Sequence, residues 1–292
     1  MAESGLRLRR AIVYRGEAAA EERTLPLIPP GSVLIQVYAA AWTGVEEAAR
    51  TGVLAARYGV VMGHTGYGRV VAVGPGAEEL SGKLVALARV PEQLPGVDAD
   101  GFLSDYTVAP AGSLEELTGT PPAYTALYLE ASLACDALQR LEQSDAGRVA
   151  VLGGGPGGVL AAALLAEEGY TVQLFTDKRL GGHCPATAAA RGRPAGFDAY
   201  IHMLPWAYVE ADGLHLLHPY SHPRLSPTPR SLRVEKLTGA SGGCPRRLLR
   251  ENLGRGSCLE KMLVYVDEPI PPPPLGDRGA YIYTFTQRRR RR

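Results

Sequence analysis

The stretch Gly153-Gly-Gly-Pro-Gly-Gly158 places glycines at 153, 155 and 158 of a G-x-G-x-x-G turn, a spacing suited to cradling a diphosphate. The first glycine permits a tight turn, the second lets backbone approach a pyrophosphate, and the third lets a helix pack close to its strand. Gly154, Pro156 and Gly157 fill the intervening places. Arg148 to Leu152, just ahead, is the short β-branched apolar run of a strand buried on both faces. Val159 to Ala166 is an unbroken apolar helix former stopped by Gly169, and Thr171 to Thr176 reads as a second strand. Asp177 lies 19 residues after Gly158, where a carboxylate can accept hydrogen bonds from an adenosine ribose. The whole unit predicts dinucleotide binding; a glycine turn without a ligand is the plainer alternative. Asp177 would repel a 2′-phosphate and so favours NAD, while Lys178 and Arg179 directly after it could admit NADP.

Other reactive types are scattered. His215-x-x-His218-x-x-x-His222 has a spacing a metal could use. His215 and His218 should face opposite sides of a strand, however, and Pro219 and Pro223 bend the rest, so solvated loop histidines are expected. His183 and Cys184 are adjacent, so their side chains diverge and make a poor nucleophile pair. The cysteines at 135, 184, 244 and 258 form no C-x-x-C motif; free thiols are expected, with a Cys244–Cys258 bond as the alternative. Trp42 and Trp206 are expected to line or plug a cleft.

Composition bounds what these groups can serve. A chain of 292 residues can support two domains, and 46% hydrophobic with 21% charged residues is ordinary for a soluble globular protein. Net charge is +1, of which Arg288–Arg292 supply +5, leaving −4 on the rest. Nucleic acid is therefore not the expected partner, and residues 288–292 read as a disordered arginine tail. No apolar run approaches membrane-spanning length and the N-terminus lacks a signal core, so a cytoplasmic protein is expected. The strong preference for arginine over lysine, with 23 prolines, fits a high-temperature or GC-rich source.

The elements that must position these groups fall into two patterns. Ala11 to Tyr14, Val33 to Tyr38, Arg69 to Val73, Lys83 to Ala88 and Ser104 to Val108 are short strands punctuated by glycine and proline, as in a β-barrel. Trp42 to Arg50 reads as one short helix closed by Gly52. From Ala123 to Glu142 the apolar spacing turns helical and leads into the glycine turn. Beyond Asp177, Ala186 to Ala190 could be helical, and Phe197 to Leu204, Leu214 to Leu217 and Arg230 to Gly239 read as strands. Arg246 to Leu253 suggests a helix, with Met262 to Val266 and Tyr281 to Thr286 closing the chain.

Four stretches together resemble the medium-chain dehydrogenase/reductase superfamily, the zinc alcohol dehydrogenases and zinc-free quinone reductases. They are Val33 to Ala41, Gly63-His-Thr-Gly-Tyr-Gly-Arg-Val-Val-Ala-Val-Gly74, Asp100 to Ala111, and the turn at 153–158. The second is similar to the family's G-H-E-G-x-G-x-V-x-x-V-G signature. The resemblance implies an α/β protein with a GroES-like β-barrel over residues 1–122, a C-terminal return at 264–287, and a Rossmann domain with a doubly wound parallel sheet over 123–263. It also implies a homo-oligomer, dimer or tetramer, formed through the Rossmann domain. In zinc members a cysteine after the second strand, the histidine of G-H-E and a carboxylate before the Rossmann unit hold the metal. Here Thr43 takes the cysteine's place, His64 is kept, Thr65 replaces the glutamate, and Glu130 falls at the carboxylate position. Val45 stands where a relay hydroxyl is expected, and residues 89–99 lack the cysteines of a structural zinc lobe. Two ligands of the usual set remain, which argues against a catalytic zinc.

The implied function is a zinc-independent, NAD(P)-dependent oxidoreductase transferring hydride to or from a small carbonyl, alcohol or activated alkene. His64 would donate a proton or polarise the substrate, Thr43 orient a substrate oxygen, and Glu130 tune His64 or pair with an arginine; the plainer alternative makes all three structural. The competing function is a dinucleotide-binding sensor, scaffold or complex subunit without catalysis, favoured by the lost cysteine, glutamate and hydroxyl.

Overall fold

A computed structural model describes residues 8–176, 194–209, 212–225, 232–240, 242–253, 258–267, 273 and 280–285. Asp177, Lys178, His183, Cys184, the 186–190 segment and the arginine tail lie outside the described residues. The first structured segment is a hairpin of β1 (Leu8–Tyr14) and β2 (Ala18–Thr24), turned at Gly16 with φ 85°. β2 reads AAAEERT, which carries no period-2 apolar pattern, and the sequence gives no reason to expect a strand there.

β3 (Ser32–Trp42) is the long spine of a seven-stranded sheet. Helix α1 (Gly44–Arg50) follows it, then β4 (Gly66–Val73), β5 (Leu84–Leu87), β6 (Tyr106–Pro110) and β7 (Leu114–Leu117). One edge of β3 pairs with β4, with register shifts at Leu34/Ile35 and Val37/Ala39 that bend the strand towards closure. β6 takes the first half of the other edge, from Ser32 to Gln36.

A 3-10 turn at Ala123–Leu127 replaces the start of the expected long helix, and α2 (Tyr128–Leu141) continues from it. Then come β8 (Arg148–Leu152), α3 (Pro156–Glu167), β9 (Thr171–Phe175), β10 (Ala199–His202), β11 (Trp206–Val209) and β12 (Gly213–Leu217). β13 (His222–Leu225), β14 (Leu232–Lys236), α4 (Gly243–Asn252), α5 (Cys258–Met262), β15 (Leu263–Asp267) and β16 (Ala280–Thr284) complete the described elements. β16 returns to the first sheet and pairs with the second half of β3, from Ala39 to Trp42.

The second sheet has the order β14-β12-β10-β8-β9, and every pairing is parallel. The chain leaves β8 for β9 on one side, then resumes on the other side with β10, β12 and β14. That reversal puts a topological switch point beyond the carboxyl ends of β8 and β10, where such sheets bind ligands. Parallel neighbours ordinarily need a helical crossover of a dozen residues or more. Between β10 and β12 only residues 203–212 are available, and they form β11, paired in parallel with β13 as a small separate sheet.

α3 is apolar all round and buried from Pro156 to Leu165, as expected of a helix packed on several sides. α4 is amphipathic, with Leu248 and Leu249 buried while Arg246, Arg247 and Arg250 face outward. α2 is buried along nearly its whole length, and the largest core cluster runs through it from Ile12 to Phe285, so the two layers share one interior. The expectation of free thiols fails for two of the four cysteines: Cys135 on α2 is bonded to Cys244 on α4, which also removes the Cys244–Cys258 alternative. No helix among the described residues is long and apolar enough to cross a membrane.

Candidate active site

Thr43 closes β3 and starts α1. Its backbone N–H donates to Glu46 Oε2 at 2.7 Å, and its hydroxyl accepts from Val45 N at 3.3 Å. The pattern Thr43-x-x-Glu46 is a capping box, readable in the sequence but overlooked when residue 43 is viewed as a lost ligand. The Thr43 hydroxyl also donates to Glu46 Oε2 at 3.3 Å, so it serves the helix start rather than an open cleft.

Glu46 has a second oxygen to spend on His64. Its Oε1 accepts from the His64 backbone N–H at 2.8 Å and from Nδ1 at 2.7 Å. Gly63, with φ 99°, makes the bend that delivers His64; a Cβ there would stand 2.5 Å from Leu103 N. The other ring nitrogen, Nε2, lies 2.9 Å from Glu130 Oε1 in the first turn of α2, where a helix favours negative charge. His64 is fully buried and Glu46 and Glu130 nearly so. Burial pulls the His64 pKa down, but the charge of Glu46 and the hydrogen bonds that both carboxylates accept from the ring outweigh it and raise the pKa to about 10. Burial likewise pushes Glu46 and Glu130 up, and their imidazole partners pull both below the ordinary carboxylate range.

The glycine turn meets this cluster directly. Gly155 is the N-cap of α3, and no side chain caps the helix, so its leading amides remain free for an anion. Gly153 has φ 118°, and a Cβ on Gly158 would lie 1.7 Å from Gly153 O, so both positions require glycine. A Cβ on Gly154 would strike Thr176 Oγ1 at 2.0 Å, whereas one on Gly155 would meet nothing within 4 Å. Pro156 stands in the first turn of α3. A side chain on Gly157 would collide with Glu130 Oε2 at 2.1 Å and Met203 Cε at 2.7 Å. These features fit a dinucleotide, with the glycine cradle on one side of Glu130 and His64 on the other.

Two of the histidines read as solvated are not. His215 and His218 are buried, because both faces of this parallel sheet are covered. His215 Nδ1 lies 3.0 Å from His202 Nε2 and stacks on Tyr200 at 4.6 Å between centroids. His218 follows β12, its backbone N–H donating to His202 O at 2.9 Å, and its Nε2 lies 3.8 Å from Glu130 Oε2. Tyr220 walls the group, its ring 5.5 Å from those of His64 and His218 and its hydroxyl donating to Pro95 O at 2.9 Å. Burial pushes the Tyr220 phenol well up, with Glu46 and Glu130 adding to the shift. Trp42 is buried beneath the Arg50 guanidinium, 5.2 Å from its ring centre, and plugs the interior rather than lining a cleft.

His64, Glu130 and His218 could hold a metal: one donor atom from each lies within 4.8 Å of the others. Two histidines and a glutamate are an accepted donor set for a catalytic zinc, and His218 stands outside the positions from which the usual ligands come. His218 was visible in the sequence, but nothing local there brings it to Glu130.

Residues 29–119 match the alcohol dehydrogenase GroES-like domain, and residues 151–226 match the NAD(P)-binding Rossmann-like domain. No curated protein matches the chain. Among solved structures, an Escherichia coli CFT073 short chain alcohol dehydrogenase complexed with NADH is similar, with 16% identity and a TM-score of 0.68, over 96% of this chain and 100% of that one. A putative zinc-binding dehydrogenase from Sinorhizobium meliloti 1021 bound to NADP shares 20% identity at a TM-score of 0.66, over 95% and 99%. A thermostable alcohol dehydrogenase from Pyrobaculum aerophilum shares 18% at 0.68, over 95% and 100%. At these identities the likeness speaks for the fold. With a GroES-like domain followed by a Rossmann-like domain, the chain belongs to the medium-chain dehydrogenase/reductase superfamily.

Proposed function

We propose that the protein is an NAD(P)-dependent oxidoreductase that moves hydride between the nicotinamide ring and a small carbonyl, alcohol or activated alkene. The observation that carries this reading is the contact between Gly157 and Glu130: the diphosphate cradle and the charged cluster share one wall. The bound nicotinamide supplies or accepts the hydride. The chain's own part is to hold the diphosphate on the free amides of α3 and to keep water from the buried cluster. His64, gripped through Nδ1 by Glu46, turns Nε2 towards Glu130, and the pair can polarise or exchange a proton with a substrate oxygen. Asp177 and Lys178 would meet the adenosine ribose, with NAD preferred to NADP.

A second reading, dinucleotide binding without turnover, draws on the closed hydrogen bonding of the site. The Thr43 hydroxyl serves the helix cap and both His64 nitrogens are engaged. The test is NADH and NADPH absorbance at steady state with a panel of aldehydes, ketones, quinones and enones, and the reverse reaction with alcohols. The oxidoreductase reading expects turnover with at least one class and its loss in His64→Ala. Tight cofactor binding with no turnover across the panel would overturn it in favour of the second reading.

A further inference from the structure

We propose that His64, Glu130 and His218 form a divalent-metal site of zinc type, in which His218 stands in for the thiolate that Thr43 cannot supply. The proposal requires only this cluster and not cofactor turnover, so it can fail while the oxidoreductase reading survives, and the reverse.

Three observations support it. First, the donors are already gathered: Nε2 of His64 is 2.9 Å from Glu130 Oε1, and Nε2 of His218 is 3.8 Å from Glu130 Oε2. One donor atom from each of the three residues lies within 4.8 Å of the others, close enough for small side-chain shifts to bring all three onto one ion. The 3.8 Å gap is too long for a hydrogen bond, yet both groups are buried.

Second, the outer shell is in place. A metal-bound histidine typically donates its other N–H to a carboxylate, which fixes the ring and the tautomer. His64 does this through Nδ1 to Glu46, which is itself held by the Thr43 backbone. Third, the charge has the right sign: the buried carboxylates of Glu46 and Glu130 both face the His64 ring, where a divalent cation would meet two negative groups. Ligation through His218 Nε2 puts that ring's proton on Nδ1, which gives up the long 3.4 Å contact from Tyr220 N.

His218 reaches this position from the carboxyl end of β12, so the three ligands tie the barrel loop, α2 and the Rossmann-type sheet together. Ion binding should therefore stiffen the junction of the two layers.

The experiment uses the full chain, free of any affinity tag, stripped with chelator and titrated with Zn(II) or Co(II). Wild type should take up about one ion per chain, show the visible absorption of four-coordinate Co(II), and gain thermal stability. His218→Asn should lose at least tenfold in Co(II) affinity while keeping the near-UV circular dichroism of the folded chain. X-ray absorption on zinc-loaded wild type, which needs no variant to fold, should fit two imidazoles with oxygen and no sulfur. Absence of stoichiometric binding by wild type would overturn the proposal. So would unchanged affinity in His218→Asn, or a spectrum fitting one imidazole or including sulfur.

Discussion

The two sides of the site are built differently. On the barrel side, Thr43, Glu46 and His64 are locked by contacts of 2.7–2.8 Å, and Glu46 satisfies a helix start, a backbone amide and an imidazole at once. On the Rossmann side, His218 stands 3.8 Å from Glu130, its Nδ1 contact is 3.4 Å, and buried His202 Nδ1 has no hydrogen-bond partner. One side is a finished platform and the other retains slack where a ligand can enter. Preorganised groups lower the cost of binding, and looser ones tighten when the complex forms.

Substitutions can sharpen that contrast. The largest effect is expected from Gly158→Ala, whose Cβ would stand 1.7 Å from Gly153 O. Chemical denaturation should show a loss on the order of 4 kcal/mol or more. Gly155→Ala is its foil: the site is open and its φ is −77°, so stability should hold within about 0.5 kcal/mol. Next comes Glu46→Ala, which strands a buried His64; about 3–5 kcal/mol should be lost in the same assay. His218→Asn should cost clearly less than Glu46→Ala, because the contact it gives up is loose. Equal losses from the two would erase the distinction between platform and slack.

The Cys135–Cys244 bond closes a separation of 109 residues and joins α2 to α4 behind the site. Cys244→Ser, or reduction of wild type, should lower stability by about 2–5 kcal/mol, read as a fall in melting temperature. A further effect concerns pH. Burial and the charge of His215 hold His202 down to about 3 from its ordinary 6.5. Between those values the unfolded chain binds the extra proton, so stability is lost as pH falls through that window, by about 1.4 kcal/mol per unit at steepest. His202→Gln should flatten that part of the stability–pH curve; an unchanged curve would mean that His202 does not titrate there.

Legibility in the sequence followed the range of the interaction. The glycine turn, its strands at 148–152 and 171–175, and its helix are local patterns and lie where periodicity and glycine spacing place them. Thr43-x-x-Glu46 was equally local, and a search for helix caps would have exposed Glu46 as the partner of His64. His218 was different. The alternation rule applies within a strand, whereas His218 falls just beyond β12, and solvent exposure does not follow when a parallel sheet is covered on both faces. Its approach to Glu130 depends on β12 pairing with β10 in the register that sets Leu217 beside His202. The Cys135–Cys244 pairing is equally non-local, resting on how α4 docks against α2.

The account turns on a dinucleotide seated on residues 153–158 against the Glu130–His64 pair. The most direct measurement is a calorimetric titration of NADH and NADPH into wild type and Gly155→Ala. Wild type should bind at least one of the two with a Kd on the order of micromolar, and Gly155→Ala, equally stable, should bind it about tenfold more weakly as the methyl meets the pyrophosphate. Heats that show no binding of either nucleotide to wild type, or identical affinity in the two proteins, would contradict it.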